Sequence, residues 1–218
     1  MEFRKYDKIE TVFLRDTEGS KKLIDGAWRN ETVEYLKDAQ WDFTEKVDGT
    51  NIRVFWNGHA VTFGGRTDNA QIPVPLVNRL NEIFGTNEAE ELFEQTFGEK
   101  EVILYGEGYG KKIQGPGSLY LPDRVDFILF DVYIGVGYLK RESVEDTAKL
   151  FGVAVVPILF SGPLSMGIEY VKTPHDSVVA ENGAPMEGLV ARPSMELCDR
   201  FGARVIVKLK YKDFKELA

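Results

Sequence analysis

The chain has 218 residues, enough to bury a sizeable core in one large domain or two small ones. Hydrophobic residues make up 43% and charged residues 28%, the balance of a globular protein, and no apolar run is long enough to cross a bilayer. The net charge of −8 argues against binding nucleic acid by bulk attraction to phosphate, while leaving room for basic groups gathered in one groove. One cysteine, Cys198, excludes an internal disulfide and a Cys-based zinc cluster, and two histidines, His59 and His175, leave little for a His-rich metal site. The start, MEFRKYDKIE, lacks the apolar centre of a signal peptide, so a cytoplasmic protein is expected.

No repeat, low-complexity tract or Pro/Ser-rich linker interrupts the chain, which predicts a single domain over 1–218. TNIRVFW and HAVTFGG are β-rich runs joined by Asn57-Gly58, a strong hairpin signal. VPLVNRLNEIF places Leu76, Val77, Leu80, Ile83 and Phe84 at helical spacing behind prolines. NEAEELFEQTF predicts a second helix, with Asn87 as N-cap and Glu90 in a capping-box position. EVILYGEGYG and RVDFILFDVYIG predict strands. SVEDTAKLFG predicts a helix from Ser143 to a stop at Gly152, and VAVVPILF a strand after it. MEGLVARP and RVIVKLKY predict the last two strands. Irregular alternation with at least one hairpin predicts an α+β fold with antiparallel sheets.

The chemistry centres on Lys46 in TEKVDGTN, set just ahead of an Asp-Gly turn. An amine attacks only when neutral, and a free lysine with a pKa of about 10.4 is almost wholly protonated at neutral pH. Burial and neighbouring positive charge release the nucleophile, and Trp41, Phe43 and the lysines of VKLK offer both. Strand alternation puts Arg204, Ile206, Lys208 and Lys210 on one face against Val205, Val207 and Leu209. Lysines that point into one site repel each other unless an anion lies between them, and phosphate is the obvious anion. Glu107 and Glu187 stand at strand ends beside glycines, and Arg66 again follows glycines. Carboxylates near a polyphosphate serve its magnesium or a sugar hydroxyl. Phe130 offers a flat face for a base, though a strand Phe is more often core. Lys111 and Lys112 read as a solvated face, and His59 as a surface residue beside its turn.

In order along the chain stand Lys-x-Asp-Gly, Gly-Gly-Arg-Thr, Tyr-Gly-Glu, Phe-x-x-Phe-Asp, Glu-Gly-Leu-Val and Val-Lys-Leu-Lys. The series resembles the motifs of the covalent nucleotidyltransferases: DNA ligases, RNA ligases and mRNA-capping guanylyltransferases. The match runs from about residue 40 to residue 212. Asn51, five residues after Lys46 where DNA ligases and capping enzymes usually carry Arg, is similar to the nick-sealing RNA ligase 2-like family.

That resemblance implies an antiparallel-sheet, ATP-grasp-like adenylation domain with no appended OB-fold. It implies that Lys46 attacks the α-phosphate of ATP, expels pyrophosphate and carries AMP, with Mg²⁺ or Mn²⁺ as the metal. Glu45 would help read the adenine edge, Arg66 and Glu107 would hold the ribose, and Phe130 would stack on the base. Glu187 would serve the metal, while Lys208 and Lys210 would neutralise charge building at the α-phosphate. Asn51 would act later, at the RNA ends. Asp131 matches a family position and equally suits a strand-end turn. The implied partner is RNA, or an RNA-containing duplex with a nick, with no membrane involved. Relatives normally continue into a second domain, whereas this chain ends eight residues after Lys210. A separate RNA-binding domain or subunit would fill that gap, or Lys212 and Lys215 would carry more of the RNA. The competing readings are a capping-type guanylyltransferase, a DNA ligase and a catalytically inactive RNA-binding relic. The N-terminal FRKYDKIETVFLRD, an apolar-basic mix, would cover the ATP site or touch RNA.

Overall fold

The computed structural model describes residues 4–215, so Phe3 of the N-terminal segment lies outside the described residues. In chain order the elements begin with β1 (Glu10–Thr11), β2 (Phe13–Arg15), β3 (Leu23–Trp28), α1 (Glu31–Tyr35), β4 (Trp41–Glu45), β5 (Thr50–Trp56) and β6 (Val61–Gly64). They continue with α2 (Val74–Phe84), α3 (Asn87–Phe97), β7 (Val102–Gly110), α4 (Gly117–Tyr120), β8 (Val125–Ile134), β9 (Gly137–Tyr138) and α5 (Arg141–Leu150). The last are β10 (Ala154–Val155), β11 (Ile158–Gly162), α6 (Leu164–Tyr170), β12 (Gly188–Pro193), β13 (Val207–Lys210) and α7 (Tyr211–Phe214).

Contacts gather these elements into two compact units. The first takes the described residues up to Asp7, then Asp48–Val156 and Val179–Ala184. The second takes Lys8–Val47, Pro157–Val178 and the described residues from Pro185 onward. The chain changes unit inside the KVDG motif, between Val47 and Asp48.

The first unit is built on a sheet of order β10-β8-β7-β5-β6, with β9 folded back on β8. Every pair is antiparallel except the two-residue edge strand β10. Alternation in β5 sends Ile52, Val54 and Trp56 to one buried face, where they meet Leu76, Leu80 and Phe84 of α2 and Phe93 of α3 in a single apolar cluster. Trp56 stacks on Phe93 at 5.4 Å, and Phe151 closes on Phe93 at 4.3 Å. Each such buried aromatic contributes about 2–3 kcal/mol by leaving water. The opposite face carries Asn51 and Arg53 of β5 and, by register, Tyr105 and Glu107 of β7.

The second unit holds a sheet of order β1-β13-β12-β4-β11, in which β1 runs parallel to β13 and the other neighbours are antiparallel. Trp41, Phe43, Leu189, Ala191, Val207 and Leu209 fill its core. Phe43 stacks on Phe160 at 4.7 Å, and the Trp41 indole donates to the Leu36 carbonyl at 2.8 Å. Among the described residues, no helix is long and apolar enough to cross a membrane.

The α+β reading with antiparallel sheets holds, and the differences are local. The N-cap of α3 is Thr86, whose hydroxyl accepts from the Ala89 amide at 3.1 Å; Asn87 is already helical. Glu90 reaches across to the Val61 amide of β6 instead of boxing the cap. Helix α5 starts at Arg141, ahead of Ser143. VAVVPILF is two strands in two sheets: Pro157, which has no N–H to donate, separates β10 on β8 from β11 on β4. RVIVKLKY forms a strand only over β13, because Arg204 is taken up in an isolated bridge to Cys198.

Candidate active site

In the second unit, three strand ends meet in register. Strand β12 is central; Gly188 at its start lies opposite Lys210 of β13 on one side, and the Lys46 amide donates to its carbonyl at 2.9 Å on the other. Glu187, one residue earlier, therefore has a lysine on each flank. Lys46 donates to its Oε2 and Lys210 ion-pairs with its Oε1. Lys208 shares the solvent-side face of β13 with Lys210, between the buried Val207 and Leu209. Glu10 of the neighbouring β1 is taken by Lys8 at 2.9 Å and Arg29 at 3.2 Å.

Two ammonium groups thus flank one carboxylate, and a third, Lys208, shares a strand face with Lys210. Burial pushes the Glu187 carboxyl up, but Lys46 and Lys210 outweigh it and hold the carboxyl below the ordinary carboxylate range. Burial pushes the Lys208 ammonium down, and Lys210 and Lys46 add to that, against the pull of Glu10. Such a cluster leaves positive charge uncompensated and favours an anion beside it. Among the described residues no group of three or more His, Cys, Asp or Glu makes a metal cage. Glu187 alone suits a hard divalent ion that completes its shell with phosphate oxygens and water.

Gly188 is what allows the strands to close around Glu187. Its φ is +151°, and an added Cβ would fall 2.0 Å from the Leu209 carbonyl oxygen and 2.8 Å from the Lys210 Cα. Gly188→Ala is expected to lower stability by about 2–4 kcal/mol, because backbone must move on both strands. Urea denaturation monitored by circular dichroism checks this.

In the first unit, Asn51 and Glu107 are directly opposed across β5 and β7. The Asn51 Oδ1 is buried with no hydrogen-bond partner, an acceptor left for something else to satisfy. Gly49 lets this corner close: a Cβ there would lie 2.3 Å from the Gly108 carbonyl oxygen and 2.7 Å from the Glu107 Cγ. Phe130 is the extra residue of a bulge, since the register passes from Tyr105–Asp131 to Gly106–Leu129. The bulge turns its ring out of the regular alternation, and the Tyr6 ring meets it edge-on at 5.0 Å. Asp131 is fully buried and accepts from the Tyr6 hydroxyl at 2.7 Å, so it is not a turn residue. Arg66 is exposed in the turn that follows β6.

Other residues fall elsewhere. The Glu45 carboxylate is 2% exposed and is occupied by the Ser177 hydroxyl and by the Val178 amide at 2.9 Å. Lys111 and Lys112 are exposed, as are His59 and Cys198. His175 stacks on Tyr170 at 3.7 Å. Lys215 lies 5.7 Å over the Tyr211 ring, and Lys212 is exposed. Arg204 pairs with Glu196, apart from Lys208 and Lys210. Arg53 and Tyr6 went unread in the sequence. Alternation places Arg53 opposite the helices but does not disclose its contacts with Gly65 and Asp68.

Solved structures share this fold. A Naegleria gruberi RNA ligase with PPi matches at a TM-score of 0.68 and 21% identity, over 100% of this chain and 58% of that one. Variants of a Naegleria gruberi RNA ligase, one with ATP and Mn and one with AMP and Mn, match at TM-scores of 0.68 and 0.67. Their identities are 20% and 21%, over 100% of this chain and 59% of each. The chain thus spans under two thirds of the length of these structures. No match to a curated protein was found. The RNA ligase family model matches residues 39–210, a stretch that holds Lys46 near its start and ends on Lys210. Carrying that match over most of its length, the chain belongs to the RNA ligase family, of the nucleotidyltransferase type.

Proposed function

We propose that the protein is an ATP-dependent RNA ligase that seals 3′-hydroxyl/5′-phosphate nicks in RNA-containing duplexes, carrying AMP on Lys46 between steps. The observation that carries this reading is the pairing of Lys46 and Lys210 with the single carboxylate of Glu187, with Lys208 close enough to feel both lysines. Membership of the RNA ligase family and a fold shared with ligases seen with ATP and Mn support it.

In the first step the Lys46 amine, freed of its proton, attacks the α-phosphorus of ATP. A P–N bond forms as the P–O bond to pyrophosphate breaks. Lys208 and Lys210 offset the charge that builds on the α-phosphate. A divalent ion on Glu187, Mg²⁺ or Mn²⁺, supplies further charge neutralisation at the phosphates when bound. Lys46 then gives up AMP to the RNA 5′-phosphate, and the 3′-hydroxyl displaces AMP to close the strand. Arg66 and Glu107 are assigned to the ribose, Phe130 to the base and Asn51 to the RNA ends. Glu45, whose carboxylate accepts from Ser177 and Val178, is assigned to the adenine edge. The reading treats residues 1–218 as one adenylation domain in a cytoplasmic protein. It includes a separate RNA-binding domain or subunit, because a net charge of −8 gives little general attraction to RNA.

The test is sealing of nicked duplexes whose 3′-hydroxyl strand is RNA or DNA, with ATP or GTP. ATP-dependent joining of the RNA 3′-hydroxyl strand, weakened steeply by salt, is the expected result. Joining confined to DNA 3′ ends, or dependent on GTP, would overturn it.

A further inference from the structure

Arg53 has no exposed surface, yet it carries a full charge inside the first unit. Burying a guanidinium is costly unless its donors are matched, so what they bind identifies their purpose. Its Nε donates to the Gly65 carbonyl at 2.7 Å, and its Nη2 pairs with Asp68 Oδ1 at 2.9 Å. Gly65 immediately precedes Arg66, and Asp68 follows it by two residues. The turn is closed behind them by the Ala70 amide bonding to the Thr67 carbonyl at 3.0 Å.

A second tether comes from the N-terminal residues. Lys5 Nζ reaches Asp68 Oδ2 at 3.0 Å, so both oxygens of one exposed carboxylate are held by cations from distant parts of the chain. The neighbouring residues fix Lys5 in turn. The Tyr105 hydroxyl donates to the Arg4 carbonyl at 2.9 Å, and the Tyr6 hydroxyl to Asp131 at 2.7 Å. Lys5 and then Arg53 hold the Asp68 carboxyl below its ordinary range, as a permanently charged anchor requires.

We propose that Arg53 is a positioning residue for Arg66, fixing its turn through the Gly65 carbonyl and through Asp68, with Lys5 as the second hold on that carboxylate. The inference rests on the reading of Arg66 as the ribose contact. Arg66 is exposed and on a turn, where a long side chain samples many rotamers; a turn fixed on both sides of it reduces the ordering needed on nucleotide binding.

The test is ATP–pyrophosphate exchange with Asp68→Asn, Arg66→Ala and the double variant, each confirmed folded by circular dichroism. Asp68→Asn is expected to raise KM for ATP about three- to tenfold and to change kcat less than about twofold. In the Arg66→Ala background the same change is expected to add less than about twofold, because the two act as one unit. Lys5→Ala, which leaves the Arg53–Asp68 pair in place, shifts KM the same way by less. If Arg66→Ala raises KM but Asp68→Asn does not, or if the two effects simply multiply, the positioning role is overturned. If Arg66→Ala itself leaves KM unchanged, the ribose reading fails and the inference with it.

Discussion

Lys46→Ala is expected to abolish transfer of label from α-labelled ATP to the protein, a loss on the order of a thousandfold or more, since it removes the amine proposed to attack. Lys210 lies across β12 from Lys46 with Glu187 between them, and Lys208 stands two residues earlier on β13. The side chain is held from both ends, by the backbone bond to Gly188 and by the Glu187 carboxylate. Lys46→Arg keeps the ion pair but offers no nucleophile, so it too is expected to lose labelling while melting close to the wild type. Label on either folded variant would contradict the assignment.

Glu187→Gln carries the second large expected effect. It keeps the side chain's shape but leaves Lys46 and Lys210 without their shared counter-charge. Breaking a buried ion pair costs about 3–5 kcal/mol, and this partly exposed one should cost about 1–3 kcal/mol. Self-adenylation should fall by about a hundredfold or more, because the carboxylate proposed to serve the metal is gone. Pyrophosphate should raise the melting temperature of the variant more than that of the wild type, because it supplies the missing anion. The pH dependence has a fixed sign. A carboxyl held below its ordinary value of 4.5 contributes stability that is present above that pH. The contribution is lost as the pH falls through the lowered folded value. Melting curves from neutral to acid pH should therefore show a decline in the wild type that is smaller in Glu187→Gln; equal declines would remove Glu187 from the account of acid sensitivity.

The sequence was legible where local chemistry decides the outcome. The β-rich runs TNIRVFW and HAVTFGG around Asn57-Gly58 marked a hairpin, the prolines before VPLVNRLNEIF marked a helix start, and VKLK placed both lysines on one face. What could not be read depends on partners far along the chain. VAVVPILF looks continuous, but its halves pair with β8 and β4, and only the fold shows that Pro157 divides them. Capping of α3 turned on which of two adjacent residues, Thr86 or Asn87, stays outside the helix, a choice worth little in propensity. Motif order pointed to Glu187, Lys46 and Lys210 from far apart in sequence; the register of β4, β12 and β13 is what makes them neighbours. Nothing in the composition of the N-terminal segment shows that Lys5 and Tyr6 bond to Asp68 and Asp131. The Glu45 carboxylate, assigned from motif position, meets Ser177 and Val178, which lie more than a hundred residues away.

The most direct measurement is the mass of the intact wild-type protein, cleared of prebound nucleotide, after incubation with ATP and magnesium, followed by peptide mapping. A gain of one AMP, located on the peptide that contains Lys46 and removed by added pyrophosphate, is the expected result. No adduct on a folded, metal-replete protein, or an adduct on any residue other than Lys46, would contradict the proposed chemistry.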